Sequence, residues 1–360
     1  MDGMFEYLKW RGDIPFTQVP VNAVDALIFS ELSYLGLGGI VNSDLQSTIT
    51  LSDAARQYLS RPEKAQTCRV RQDIKLLKVC AEAPRFSSLE LTFFRDLLIP
   101  QDEIQFAALA FLLPDETAFL AFRGTDYSLV GWKEDFNMSF ADSIPAQREA
   151  LRFTQEFADS FPGALRLGGH SKGGNVAVYA AAKAAPSLQQ RILAVYNNDG
   201  PGFTDILMGD PGYLAMVPRI HTYIPQSSII GMLLEHEEPY TVVKSSLFSI
   251  LQHECYSWEI VGGDFVHVDE ITDHSKFIDR TLKHYLAENS KAERSAFVDE
   301  VFSLLGAGGA DQLFDLLHPK QIGAIIKTLG SDEKKRSLML EEFQELLQSA
   351  YIANQKKPKD

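Results

Sequence analysis

Cysteine is scarce in this chain: three in 360 residues, Cys68, Cys80 and Cys255. They have no CxxC spacing and no histidine cluster beside them, which argues against a disulfide scaffold and against a zinc module. Reduced, mostly buried thiols in a cytoplasmic compartment are the expectation. Other cofactor signatures are missing too. There is no HExxH and no EF-hand loop, and Gly36-Leu37-Gly38-Gly39 has no strand before it to make a dinucleotide fingerprint. No metal and no other cofactor is expected. Basic residues are the minority, Lys+Arg 34 against Asp+Glu 48, and the formal charge of −14 opposes a phosphate backbone. No nucleic-acid partner is expected either. Long hydrophobic runs are also lacking. Ile104 to Leu113 is apolar but too short to cross a bilayer, so no transmembrane segment is predicted. The start, Met1-Asp2-Gly3-Met4-Phe5-Glu6, has neither the basic residues nor the apolar core of a secretion signal.

What remains is ordinary globular composition, 45% apolar and 23% charged, in a chain long enough to bury a large core without staples. Three regions are expected. Residues 1–103 read as helix and loop that pack on or cover a core, with helical patterns over Asn22 to Leu37, Leu51 to Leu59 and Arg71 to Ala81. Residues 104–273 alternate strand and helix. Phe106 to Leu113 and Thr117 to Phe122 form a strand pair. The helices Ala146 to Phe161 and Asn175 to Ala185 then alternate with the strands Ala164 to Leu167 and Ile192 to Tyr196. Arg219 to Ile224 and Tyr240 to Val243 are further strands. Trp258 to Val261 and Phe265 to Val268 flank a Gly262-Gly263-Asp264 turn. Such alternation implies an α/β fold with a mostly parallel central sheet. Residues 274–360 read as a helical extension. Its apolar faces are marked by Phe297, Val301, Leu304 and Leu305; by Leu313, Leu316 and Leu317; by Ile322, Ile325, Ile326 and Leu329; and by Leu340, Phe343, Leu346 and Leu347.

The most informative stretch is Leu165 to Asn175, which holds Gly169, Ser171 and Gly173 at G-x-S-x-G spacing. A strand precedes it and a helix follows, the context a nucleophile elbow requires. The small residues two before and two after the serine let the backbones approach, and the helix N-terminus favours negative charge beside it. A second stretch lies upstream, at the end of a predicted strand: Ala121-Phe122-Arg123-Gly124-Thr125-Asp126, followed by Gly131-Trp132-Lys133-Glu134-Asp135. An elbow needs an oxyanion hole. One donor is the N–H of the residue after the nucleophile, Lys172, and Thr125 is placed to give the other.

Phe122 to Thr125 followed by Trp132 and Asp135, and then Gly169-His170-Ser171-Lys172-Gly173-Gly174, resembles the class 3 (fungal-type) lipases of the α/β-hydrolase fold. The whole chain resembles still more a bacterial branch of that superfamily. It shares the start Glu6-Tyr7-Leu8-Lys9-Trp10-Arg11-Gly12-Asp13, the run Asn198 to Phe203, and Gln252-His253 ahead of Ser257-Trp258. The resemblance implies an α/β-hydrolase fold with N-terminal helices and a C-terminal helical extension, and a serine hydrolase that acts on a small or lipid-like carboxylic ester. Acyl transfer on the same fold, or a binding protein that has lost catalysis, are the alternatives.

A serine of this kind needs a base and an acid that orients it. The resemblance puts the base at His253, in a loop, ahead of His221, His236, His267, His274, His284 and His318; His170 is read as structural. The acid is open. Where the lipases carry it, this chain reads Pro225-Gln226-Ser227-Ser228. Asp199, at the end of the strand after the elbow, either serves as the acid or caps its own turn; Asp205 and Asp210 are weaker choices. Lys172 replaces an apolar residue. It binds an acidic substrate, pairs with a neighbouring carboxylate, or lies solvated at the surface.

Overall fold

In the computed structural model, which describes residues 3–63, 66–126 and 128–306 with scattered positions from 309 to 328, eight strands form one sheet in sequential order. They are β1 (Ile49–Thr50), β2 (Glu90–Ile99), β3 (Ile104–Leu112), β4 (Ala118–Phe122), β5 (Leu165–His170), β6 (Ile192–Asn198), β7 (Ile220–Pro225) and β8 (Tyr240–Val243). Neighbours from β1 to β4 pair antiparallel, and those from β4 to β8 pair parallel.

Period-two alternation in the apolar strands divides the core in two. Leu109 and Phe111 of β3 and Phe119 and Ala121 of β4 face one side; Phe106, Ala108 and Ala110, with Ala118, Leu120 and Phe122, face the other. A sheet that is apolar on both faces must be covered on both. The first face is covered by helices α1 (Met4–Arg11), α2 (Ala23–Leu32), α3 (Leu51–Ser60) and α4 (Arg71–Glu82). Helix α2 is buried over its whole length, and Phe29 packs its ring 4.7 Å from Phe111 and 4.9 Å from Phe119. Asn22 and Asp25 start it with a capping box. Asp25 then takes the guanidinium of buried Arg85, whose remaining N–H groups reach the carbonyls of Ile14, Val19 and Pro20. On the opposite face lie α5 (Leu129–Asn137), α6 (Pro145–Ser160) and α7 (Lys172–Lys183).

The first region is not helical throughout, because β1 and β2 belong to the sheet. The expected boundary between 103 and 104 falls between β2 and β3, which pair from Glu90↔Leu112 to Ile99↔Ile104. The strand β2 is hidden in the sequence by a β-bulge between Thr92 and Arg95, where Phe93 takes a φ of 55°. Phe93 and Phe94 therefore enter opposite cores in succession, and the period is lost. From Asp273 the described residues form two long helices, Asp273–Glu288 and Lys291–Leu305. The second of these rests on α5, with Phe302 against Phe136 at 5.7 Å and Asp299 2.7 Å from Lys133. The apolar faces read at Leu313 to Leu317 and at Leu340 to Leu347, together with His318, lie outside the described residues. So does the face at Ile322 to Leu329, apart from Ile325. Among the described residues, no helix is long and apolar enough to cross a membrane. The sheet order, the two helical layers and the sharp turn from β5 into α7 make this an α/β-hydrolase fold.

Candidate active site

Ser171 stands between β5 and α7 with φ 58° and ψ −132°, a backbone that L-residues rarely adopt. Its N–H donates to the Asn198 carbonyl at 2.9 Å. The neighbouring glycines are required by contact. A Cβ on Gly169 would lie 2.2 Å from the Gly173 carbonyl carbon, and one on Gly173 would lie 2.1 Å from the Phe122 oxygen. The elbow is thus pressed against the end of β4. Gly124 continues that approach, since a Cβ there would meet the His170 oxygen at 2.4 Å and Ser171 Cβ at 3.1 Å. The backbone that carries Thr125 therefore passes directly beside the serine. Lys172 is the first residue of α7, where an N–H has no acceptor within the helix. Both expected oxyanion donors sit around Ser171.

The Lys172 side chain turns inward. It is 1% exposed, and its Nζ donates to Gln105 O (3.0 Å), Gln105 Oε1 (2.7 Å) and Glu134 Oε2 (2.8 Å), with Asp135 Oδ1 at 3.7 Å. The surface reading of this lysine is corrected, and of the three choices the carboxylate pair is the one observed. An ammonium this deep must be paired, and two acids from the Trp132–Asp135 stretch supply the pairing. Asp135 also accepts the Thr125 hydroxyl at 2.5 Å, so the cation braces the Thr125 loop from below. Burial pushes the Asp135 carboxyl up to about 6 against the pull of Lys172.

On the other side of the serine, His253 Nδ1 is 2.6 Å from Asp199 Oδ2. Asp199 is fully buried and takes a φ of 51°. Its other oxygen accepts from Ser228 Oγ (2.5 Å) and from the Gly231 N–H (3.1 Å). Ser228, three residues past β7, therefore donates to a carboxylate at the end of the neighbouring strand β6. Asp199 does not cap its own turn: Asn197 Oδ1 accepts the Gly200 N–H at 3.0 Å. Asp205 is exposed on a short helix, and Asp210 caps the next one through Gly212 and Tyr213. The loop around His253 is held by Gln252, whose Oε1 accepts the Ser227 N–H (2.7 Å) and whose carbonyl accepts Trp258 Nε1 (2.8 Å). That accounts for the Gln252-His253 and Ser257-Trp258 motifs.

The other histidines lie elsewhere. His236 bridges Glu238 and the Gly231 carbonyl, His267 pairs with Asp264, His221 stacks on Tyr196, and His274 and His284 are in the helix Asp273–Glu288. His170 is buried, and its Nε2 donates to the His253 carbonyl at 2.9 Å. Desolvation by burial, then the electrostatic influence of His253 and of the Arg69 guanidinium, hold His170 well below the usual histidine range, so the ring is neutral. With the proton on Nε2, its Nδ1 accepts from Tyr34 Oη at 3.1 Å.

The sequence shows no cysteine–histidine cluster, but the fold brings one together. Among the described residues, Glu31, His170 and Cys255 hold ligand-type atoms within 4.8 Å of one another. Their chemistry does not fit a metal. Arg69 already neutralises Glu31 at 3.0 Å, and burial raises the Cys255 thiol well above its ordinary value, so it keeps its proton. Arg69 also bonds Glu254, next to His253, at 2.5 Å. Sequence reading missed Glu31, Tyr34 and Arg69, which have no motif around them. It singled out Glu134 and Asp135 without seeing that the buried Lys172 demands them.

Ser171, His253, Thr125 and Lys172 line a cavity of about 340 Å³. Arg69, Glu254 and Asp126 lie on its wall, and Trp132, Phe136, Ile230 and Leu233 make much of the rest apolar.

Residues 80–303 match the model of a family described as Mbeg1-like. A search of curated proteins gives no match. Among solved structures, the chain is similar to a fungal lipase (14% identity, 69% of this chain and 86% of that one, TM-score 0.42). It is also similar to the Rhizomucor miehei lipase with its propeptide (16%, 46% and 67%, TM-score 0.34). A third is a mutant form of MDLA from Penicillium cyclopium (13%, 69% and 86%, TM-score 0.40). At such identities no function passes from them to this chain.

Proposed function

Given that the chain belongs to the Mbeg1-like family, we propose that it is a serine hydrolase that cleaves a carboxylic ester through an acyl-enzyme. Ser171 Oγ attacks the carbonyl carbon. His253 takes its proton and returns it to the leaving alcohol, while Asp199 holds the imidazole in the required tautomer and stabilises the imidazolium. The backbone N–H groups of Thr125 and Lys172 hold the oxyanion, aided by the N-terminus of α7. Water, activated by His253, then resolves the acyl-enzyme. The observation that carries this reading is the 2.6 Å bond between His253 Nδ1 and Asp199 Oδ2, on the cavity that Ser171 lines. The bond between Asp199 and His253 supports catalysis over the alternative of a binding protein on the same fold.

The test is labelling by a fluorophosphonate probe of the wild type beside Ser171→Ala, His253→Ala and Asp199→Asn. Labelling of the wild type that vanishes in the first two variants and slows strongly in the third supports the reading. A folded wild type that takes no label, with or without detergent, overturns it. Product analysis with competing alcohols separates hydrolysis from acyl transfer.

A further inference from the structure

We propose that Met138 and Leu234 form a partition that limits the length of the acyl chain the site accepts, an inference that rests on the ester-hydrolase reading. These two side chains line the cavity of about 340 Å³ at Ser171, and the same two line a second cavity of about 10 Å³. They are therefore the wall between the two spaces. Behind them the second cavity is bounded by Ala141, Tyr179, Phe203 and Leu207 on its apolar side and by Asp142, Gln147 and Thr204 on the other. A chain that leaves Ser171 along this apolar side ends at the partition.

The two halves of the wall differ in stiffness. Leu234 has a φ of 64°, in the left-handed region that branched side chains avoid. It is pinned there by the next residue, whose backbone exchanges hydrogen bonds with Phe203 at 2.8 and 3.1 Å. Gly202 lets the two segments meet, since a Cβ there would lie 2.1 Å from the Glu235 oxygen. Met138, which ends α5, is an unbranched thioether that can change rotamer at little cost. Leu234 fixes the end of the cavity, and Met138 is its adjustable part.

The open volume sets the expected length. The 340 Å³ at Ser171 takes a medium-length acyl chain, near octanoate, whereas the 10 Å³ behind the partition takes no further methylene until the wall is cut back. Truncating Met138 or Leu234 to a small residue removes about three heavy atoms of wall and joins the second cavity to the first. Each further methylene buried raises kcat/KM about fourfold.

The experiment measures kcat/KM for p-nitrophenyl esters from butanoate to hexadecanoate. The wild type is expected to peak near octanoate. Met138→Ala raises the dodecanoate-to-octanoate ratio about tenfold or more, and Ala141→Leu added to it refills the space and restores the wild-type ratio. Leu234→Gly opens the same wall from its other half, with a residue suited to the left-handed backbone, so the test does not hang on one folded variant. Octanoate turnover and a cooperative melting curve establish that each variant is folded. A wild type that already prefers hexadecanoate, or folded Met138→Ala and Leu234→Gly variants with the wild-type profile, overturns the partition and leaves the hydrolase reading standing. A wild type that cleaves none of the esters and takes no fluorophosphonate overturns both.

Discussion

Replacing Lys172 by methionine separates two roles for the cation beside Ser171, holding the fold and attracting a substrate. The ammonium touches three oxygens at 2.7–3.0 Å, and the Glu134 carboxylate it meets is fully buried. Methionine fills the volume but strands that carboxylate, which costs about 3–5 kcal/mol for a buried pair broken on one side. Unfolding entropy of about 2.1 cal/mol/K per residue over 360 residues gives about 0.75 kcal/mol/K. The melting temperature should therefore fall by roughly 4–7 °C. Adding Glu134→Gln removes the stranded charge and recovers part of the loss. The recovery is partial because Glu134 also accepts from the Ala146 and Gln105 N–H groups, and an amide has one acceptor oxygen fewer. The assay is thermal unfolding at pH 8, together with hydrolysis of one neutral ester and one acidic ester of equal length. Both rates should fall by the same factor, because Nζ is buried and already bonded to Gln105 and Glu134. A variant that melts like the wild type and loses only the acidic ester would refute the reasoning.

Asp199→Asn should keep the fold and lower kcat by about 10⁴-fold, since the amide leaves His253 in the wrong tautomer; Ser228→Ala, which removes one donor to that carboxylate, should lower kcat about tenfold with KM unchanged. The Asp135 carboxyl, raised by burial from 3.8 to about 6, holds its proton more tightly in the folded state. Its contribution to stability is thus present below about pH 4 and is lost as the pH rises to about 6, by up to ~3 kcal/mol. Melting curves of Asp135→Asn should accordingly gain on the wild type through that window and hold a constant offset above it; a flat difference from pH 4 to 8 would contradict the assignment. Gly173→Ala should abolish labelling and lower the melting temperature, because the new Cβ would lie 2.1 Å from the Phe122 oxygen and 3.0 Å from the Gly124 nitrogen.

The parallel part of the sheet was legible because its strands are short, mostly buried apolar runs and its turns carry glycine, proline and aspartate. Phe106 to Phe122 could be read as a strand pair from apolar runs alone. The elbow was legible for a steric reason: where two backbones meet at about 2 Å from a would-be Cβ, only glycine serves, and Gly169 and Gly173 mark the spot. The strand β2 was not, since its bulge at Phe93 breaks the alternation by which strands are recognised. Nor was the ion network of Glu31, Arg69 and Glu254, whose members are 38 and 185 residues apart. Charge pairs of this kind leave no periodic trace.

Asp199 shows how a carboxylate can reach His253 from a place where the expected motif is absent. Strands β6 and β7 are parallel neighbours in register, Asn198 beside Tyr223, and the Asp199 N–H bonds the Tyr223 carbonyl at 2.8 Å. The two strands therefore end side by side. A carboxylate just past β6 and a side chain three residues past β7 reach the same point, as the 2.5 Å contact between Asp199 and Ser228 records. What the proposed role of His253 needs at that point is one anion within hydrogen-bond reach of its Nδ1, from whichever strand. Once β6 provides it, a second carboxylate at position 228 would stand against the first in a buried space, where two like charges cannot both stay ionised. A serine there removes the repulsion and supplies a donor to the anion. The apparent loss at position 228 and the aspartate at 199 are thus two halves of one arrangement.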